Sequence, residues 1–197
     1  MSQNNLVISK EVNVYLKRKP YVLEALEQDI VNYSALSRKI SKDLGNVSFE
    51  AVKSTLIRLS KNIRKDKQER ENKIIKLLRK SDFSVTNKIA TIHHLSPINI
   101  NSIAFSKTPS GYMYFIKETN LIKKNYKKVD YGFAIIKIKS ASEIEDTPGV
   151  AAFLLSALAS EGINVVHLMD CREDTFLVIK EFDAPLAFKV LAERLRI

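Results

Sequence analysis

Three sets of residues in this chain have the types and spacing to do chemistry. The first is a cationic stripe. Ser54, Arg58, Lys61 and Lys65 recur at three- and four-residue intervals, with Lys53 and Asn62 beside them. On a helix turning about 100° per residue these side chains share one face, opposite Phe49, Val52, Leu56, Leu59 and Ile63. Long cations reach phosphates and short polar groups reach base edges, so the stripe suits a nucleic-acid duplex. The second is the run from Glu145 to Val166, where Pro148-Gly149 opens an apolar helix and Gly162 closes it into a β-branched strand. Pro148 suits the first helical position, and Gly149 lets the backbone approach something closely, either a ligand or a neighbouring strand. The third set is His93, His94, His167 and the single cysteine, Cys171.

That third set argues against catalysis. His93 and His94 are neighbours on a strand and so point to opposite faces, which prevents them from sharing a metal. Cys171 sits in a turn with no base to activate it. Neither a phosphate-cradling glycine loop nor a Ser-His-Asp order is present. No metal, no cofactor and no enzymatic activity are expected.

The elements that must position the other two sets divide by charge. The chain has 197 residues, 45% hydrophobic and 27% charged, with a formal charge of +10. Residues 1–80 carry 18 Lys and Arg against 9 Asp and Glu, residues 81–131 carry 7 against 3, and residues 132–197 carry 7 against 10. A basic start and an acidic end are unsuited to one partner. No apolar run reaches the roughly 20 residues that span a bilayer, and the N-terminus lacks the apolar core of a secretory signal. With one cysteine, the composition points to a cytoplasmic protein with no membrane partner.

Within residues 1–80, Pro20 opens one helix, Asn32 or Ser34 caps a second that ends at Gly45, and Ser48 caps a third. A fourth helical run, KQERENKIIKLLRK, follows. Two helices joined by a short glycine-containing turn, the second cationic outside, form a helix-turn-helix pattern. The segment IVNYSALSRKISKDLGNVSFEAVKSTLIRL resembles the winged-helix class of prokaryotic regulators, which implies double-stranded DNA as partner. The helical run at 67–80 stands where a wing hairpin would lie.

Residues 131–197 read strand, helix, strand, strand, helix. The strands are YGFAIIKIK, INVVHLMD and DTFLVIKEF, and Asp183 with Pro185 starts the last helix. The turn DTPGV, the helix AAFLLSALASEG, the strand start GINVV and the aliphatic TFLVI together resemble the ACT domain. The link KSASEIE is closest to the aspartokinase variety. This resemblance implies a small effector, typically an amino acid, held by Asp146, Thr147, Gly149 and Val150, with Asn164 reaching it from an adjacent subunit, and a homodimer. A helix N-terminus, with unpaired N–H groups and a positive dipole end, suits a carboxylate.

The expected fold class is α+β. An all-helical helix-turn-helix domain (1–80) is followed by a β-rich connecting segment (81–130), possible as a degenerate ACT-like half, and a ferredoxin-like βαββα domain (131–197). Strands FSVTNKIATIHH, NINSIAFS and GYMYFIKE of the middle segment are expected to extend its antiparallel sheet or to form that degenerate half, and the usual fourth strand does not follow the last helix. The run KKNYKK (123–128) reads as a solvated linker. The expected function is an amino-acid-responsive, DNA-binding transcriptional regulator. The alternative is a regulatory or scaffolding subunit that binds an amino acid, does not bind DNA, and controls a partner enzyme.

Overall fold

Pro20, Asn32 and Ser48 each start a helix for a local reason. Pro20 takes the first position of its helix, where no N–H is needed. The Asn32 side chain accepts from the Ala35 N–H at 3.0 Å, and Ser48 Oγ accepts from the Ala51 N–H at 3.3 Å. The computed structural model describes residues 3–121, 126 and 128–195. It divides into two compact units, Met1–Glu71 and Asn72–Ile197.

The first unit holds α1 (Gln3–Lys17), α2 (Pro20–Glu27), α3 (Tyr33–Asp43) and most of α4 (Phe49–Leu78). Its core is Ile8, Val12 and Leu16 of α1, packed with Leu26, Ile40, Val52 and Leu56. Two features differ from the sequence expectation. Residues 3–17 form a helix, and the third and fourth helical runs are a single 30-residue helix. No glycine or proline interrupts that helix, and ion pairs brace its middle: Arg64 with Asp29 at 2.6 Å and Lys67 with Glu27 at 2.8 Å. Tyr33 donates to Asp29, which with Arg64 holds the Asp29 carboxyl below its ordinary range.

The second unit is one six-stranded sheet in the order β2-β3-β1-β4-β6-β5, every pair antiparallel. The strands are β1 (Asp82–His94), β2 (Ala104–Thr108), β3 (Gly111–Lys117), β4 (Lys128–Lys139), β5 (Val165–Cys171) and β6 (Asp174–Lys180). Helices α5 (Val150–Ser160) and α6 (Ala184–Leu195) cover one face. Ile136 and Ile138 of β4, Leu177 and Ile179 of β6, Leu154 and Leu158 of α5 and Leu191 of α6 form that core. Ile74 and Leu78 of α4 join it. The opposite face carries Ile89, Phe115, Phe133, Ile135 and Val178.

The strand β1 answers the missing fourth strand. In a βαββαβ unit the first strand lies between the third and the fourth. Here β4 lies between β6 and β1, so β1 takes the fourth position although it precedes the unit in sequence. The middle segment therefore extends the same sheet. The strand expected at NINSIAFS is shorter, since regular pairing starts only at Ala104.

The β2–β3 turn imposes a strict requirement. Gly111 has φ +125°, and a Cβ there would lie 2.6 Å from the His94 carbonyl oxygen of the neighbouring strand. Gly111→Ala is expected to cost about 2–4 kcal/mol, through backbone strain and an overlap that neither strand can relieve. Urea unfolding of the variant beside the parent measures it.

Candidate functional site

The turn before α5 is built by a short chain of hydrogen bonds. β4 ends at Lys139, and the Ser140 N–H donates to the Glu173 carbonyl at 2.8 Å. A 3-10 turn at Ser142–Ile144 follows. The Thr147 N–H then donates to the Ile144 carbonyl at 3.1 Å and its hydroxyl to the Glu143 carbonyl at 2.8 Å. Gly149 caps α5 in the left-handed conformation, φ +95°, and contributes no side-chain cap. A proline could not adopt that angle. Pro148 therefore stands before the helix and not at its first position.

The close approach at Gly149 is resolved by the same geometry. A Cβ there would meet only Ile74 Cδ1 of α4, at 3.7 Å, an ordinary contact. The demand on Gly149 is conformational, and its neighbour is a helix side chain, not a strand. Of the five candidate ligand residues, Thr147 and Val150 are buried, with the Thr147 hydroxyl turned onto its own backbone. Asp146, Gly149 and Asn164 are exposed. The turn thus offers solvent a carboxylate and a helix N-terminus whose first N–H groups have no side-chain cap, while Asn164 lies past the opposite end of the 11-residue α5.

The cationic stripe is split by α1. Lys61, Asn62 and Lys65 are exposed, with Lys65 3.8 Å from Glu69. Ser54 and Arg58 instead border a cleft shared with Ser9, Lys10 and Asn13 of α1, and Arg58 donates to Ser9 Oγ at 2.9 Å. Lys53 lies over the Phe49 ring, 5.7 Å from its centroid. Sequence reasoning missed α1 on this side, and it missed a second basic surface. Arg38, Ser41 and Lys42 of α3, Asn46 of the turn and Phe49 of α4 line a groove of about 590 Å³. The four-residue spacing of Arg38 and Lys42 next to the turn between α3 and α4 was the available signal.

The histidines have structural partners. His93 Nε2 lies 3.0 Å from the Ser110 carbonyl, and His94 Nδ1 lies 3.0 Å from the Ser96 carbonyl. Among the described residues, no group of His, Cys, Asp and Glu could hold a metal ion. Cys171 is exposed. Most of the KKNYKK run lies outside the described residues; within it, Tyr126 packs beside Ile92 and Tyr114, and Lys128 pairs with Asp130 at 3.2 Å. No helix among the described residues is long and apolar enough to cross a membrane.

His167 stacks edge-on against Phe115, 5.1 Å between ring centroids, and burial lowers its pKa below 6.5. Protons then bind the unfolded chain more readily. Stability is complete above pH 6.5 and falls as pH drops below it. Melting temperatures at pH 7.5 and 5.5 are expected to differ less in His167→Gln than in the parent.

Strand, left-handed glycine turn, helix, two strands and helix stand in one order from β4 to α6. Residues 128–193 match the ACT domain. The match covers β4 through most of α6, and β1 lies outside it. An aspartate kinase from Clostridium acetobutylicum shares this fold at 10% identity and TM-score 0.50, covering 57% of this chain. The chain spans 34% of that kinase's length. A Vibrio cholerae protein of unknown function, described as a possible transport protein, aligns at 15% identity and TM-score 0.51, over 63% of this chain and 97% of its own. At these identities the likeness is one of fold, and it supports an ACT-like arrangement in the second unit. No curated protein sequence matches the chain significantly.

Proposed function

We propose that the chain is an amino-acid-responsive regulator, with the ACT unit as sensor and the basic helical unit as a duplex-DNA contact. The observation that carries the sensor reading is the turn at Gly149. It holds an uncapped helix N-terminus at the surface together with Asp146, in the segment that matches the ACT domain, and Asn164, past the other end of α5, reaches the ligand from a second copy. A free amino acid is complementary to that set. Its carboxylate suits the helix N–H groups and its ammonium suits the Asp146 carboxylate. Thr147 and Val150 then contribute backbone groups and packing, not their side-chain tips.

The DNA reading is supported by the α3–turn–α4 arrangement and by the cations around it. Arg38 and Lys42 suit one phosphate row, and Lys61 and Lys65 suit another, with Lys53 and Asn62 between. Ser54 and Arg58 are exposed beside α1, and Arg58 donates to Ser9 there, so its contribution to a phosphate contact competes with that hydrogen bond. The protein is expected to act without catalysis, with two copies presenting their basic helices to half-sites about 34 Å apart or a multiple of that.

A thermal-shift screen of the twenty amino acids tests the sensor. One of them is expected to raise the melting temperature, since ligand at 100 times its Kd stabilises by about 2.7 kcal/mol. Asp146→Ala and Asn164→Ala should keep the ligand-free melting temperature and lose that shift. An unchanged shift in both variants places the pocket elsewhere. A ligand shift with no duplex binding at low salt favours the regulatory-subunit alternative.

A further inference from the structure

Ser9, Lys10 and Asn13 of α1 and Ser54 and Arg58 of α4 line one cleft of about 290 Å³ within the first unit. Each set keeps the three- and four-residue spacing of a single helix face. Ala51, one turn before Ser54, is too small to fill the space between the helices. Two hydrogen bonds orient the walls. Arg58 Nη2 donates to Ser9 Oγ at 2.9 Å, and Asn13 Nδ2 donates to the Ser9 carbonyl at 2.9 Å. The Ser9 hydroxyl accepts from Arg58 and so keeps its own proton as a donor. The Asn13 amide keeps its second N–H, and the Lys10 ammonium adds its own donors. We infer that this cleft binds a phosphate group, with Arg58 and Lys10 on its charge and Ser9 and Asn13 on its remaining oxygens.

The lining selects that ligand. Among the described residues, both charged groups that line the cleft are cations and none is acidic. Such a set is complementary to an anion rich in acceptor oxygens. A carboxylate holds its oxygens in one plane, whereas a tetrahedral phosphate turns oxygens toward both helices at once. The planar guanidinium matches a pair of those oxygens. Where the phosphate takes Nη2, a charged acceptor replaces the neutral Ser9 hydroxyl, and the charged bond is the stronger. The same group has two sources, a diester of a duplex backbone or the phosphate of a small molecule.

Inorganic phosphate tests the cleft without any duplex, so the result stands apart from the DNA reading. Proton–nitrogen correlation spectra of the full-length chain are followed while phosphate replaces chloride at constant ionic strength. The amide signals of Ser9, Asn13 and Ser54 are expected to shift and saturate, and acetate should bind more weakly. Arg58→Ala should weaken phosphate about 10- to 100-fold, the range for one hydrogen bond to a charged group. Ser54→Asp sets a carboxylate in the cleft and should abolish the shifts. Both side chains are exposed, and dispersed spectra confirm that each variant is folded. No saturating shift in the parent overturns the inference, as does parent-like phosphate binding in either variant or acetate binding equal to phosphate. A labelled duplex then identifies the source. If the duplex supplies the group, Lys10→Ala with Arg58→Ala should lower the slope of log affinity against log salt by about 1, because the two cations share one phosphate. Saturating phosphate shifts with an unchanged slope assign the cleft to a phosphate-bearing small molecule.

Discussion

Leu154→Ala is expected to destabilise the sheet-and-helix unit by about 2–5 kcal/mol. Leu154 is fully buried on the inner side of α5, among Ile136, Leu177 and Leu191. Its removal subtracts the transfer free energy of the lost carbons and leaves a cavity that sheet and helices cannot close. Phe188 on α6 is the contrasting case. It is larger but 45% exposed, so Phe188→Ala should stay within about 0.5 kcal/mol of the parent. Chemical denaturation followed by near-ultraviolet circular dichroism separates the two. Equal losses would show that α5 does not pack on the sheet as described.

Raising salt from 50 to 200 mM is expected to weaken duplex binding about 500-fold if Arg38, Lys42, Lys53, Lys61 and Lys65 each meet a phosphate. Five contacts give a slope near −4.5 in log affinity against log salt. Lys61→Ala with Lys65→Ala should lower the slope by about 2. Both side chains are exposed, so stability should change by under about 0.5 kcal/mol. A slope near zero in the parent would remove the helical unit from any role on DNA.

The parts of the fold that local chemistry controls were legible in the sequence. The caps at Asn32 and Ser48 and the apolar face of α5 follow from short-range rules, and all stand where the residues indicate. The misses have physical causes. In α1, Val7, Ile8, Val12 and Val14 are β-branched and stiff, so propensity hides the Ile8-Val12-Leu16 spacing that buries the helix. Pro148-Gly149 admits two registers for a helix start, and only the left-handed φ of Gly149 decides between them. The place of β1 beside β4 is a tertiary pairing between segments far apart in sequence, which no periodicity encodes.

The same distinction holds for the candidate sites. Helical spacing gives the angular position of Arg58 on α4, but not that α1 lies alongside and offers Ser9 to it. Likewise, residue types at Thr147 and Val150 suit a ligand, while their burial turns the side chains inward. Spacing reports a face, and packing decides whether that face meets solvent.

The central claim is that one chain couples an amino acid to DNA. Fluorescence anisotropy of a labelled duplex, titrated with the full-length chain at low salt, tests it most directly. The titration is run with and without the amino acid that raises the melting temperature. The account predicts duplex binding whose affinity changes about 5- to 150-fold with that amino acid, and loses the response in Asn164→Ala. Duplex affinity identical with and without the amino acid, in a chain that demonstrably binds it, would contradict the account.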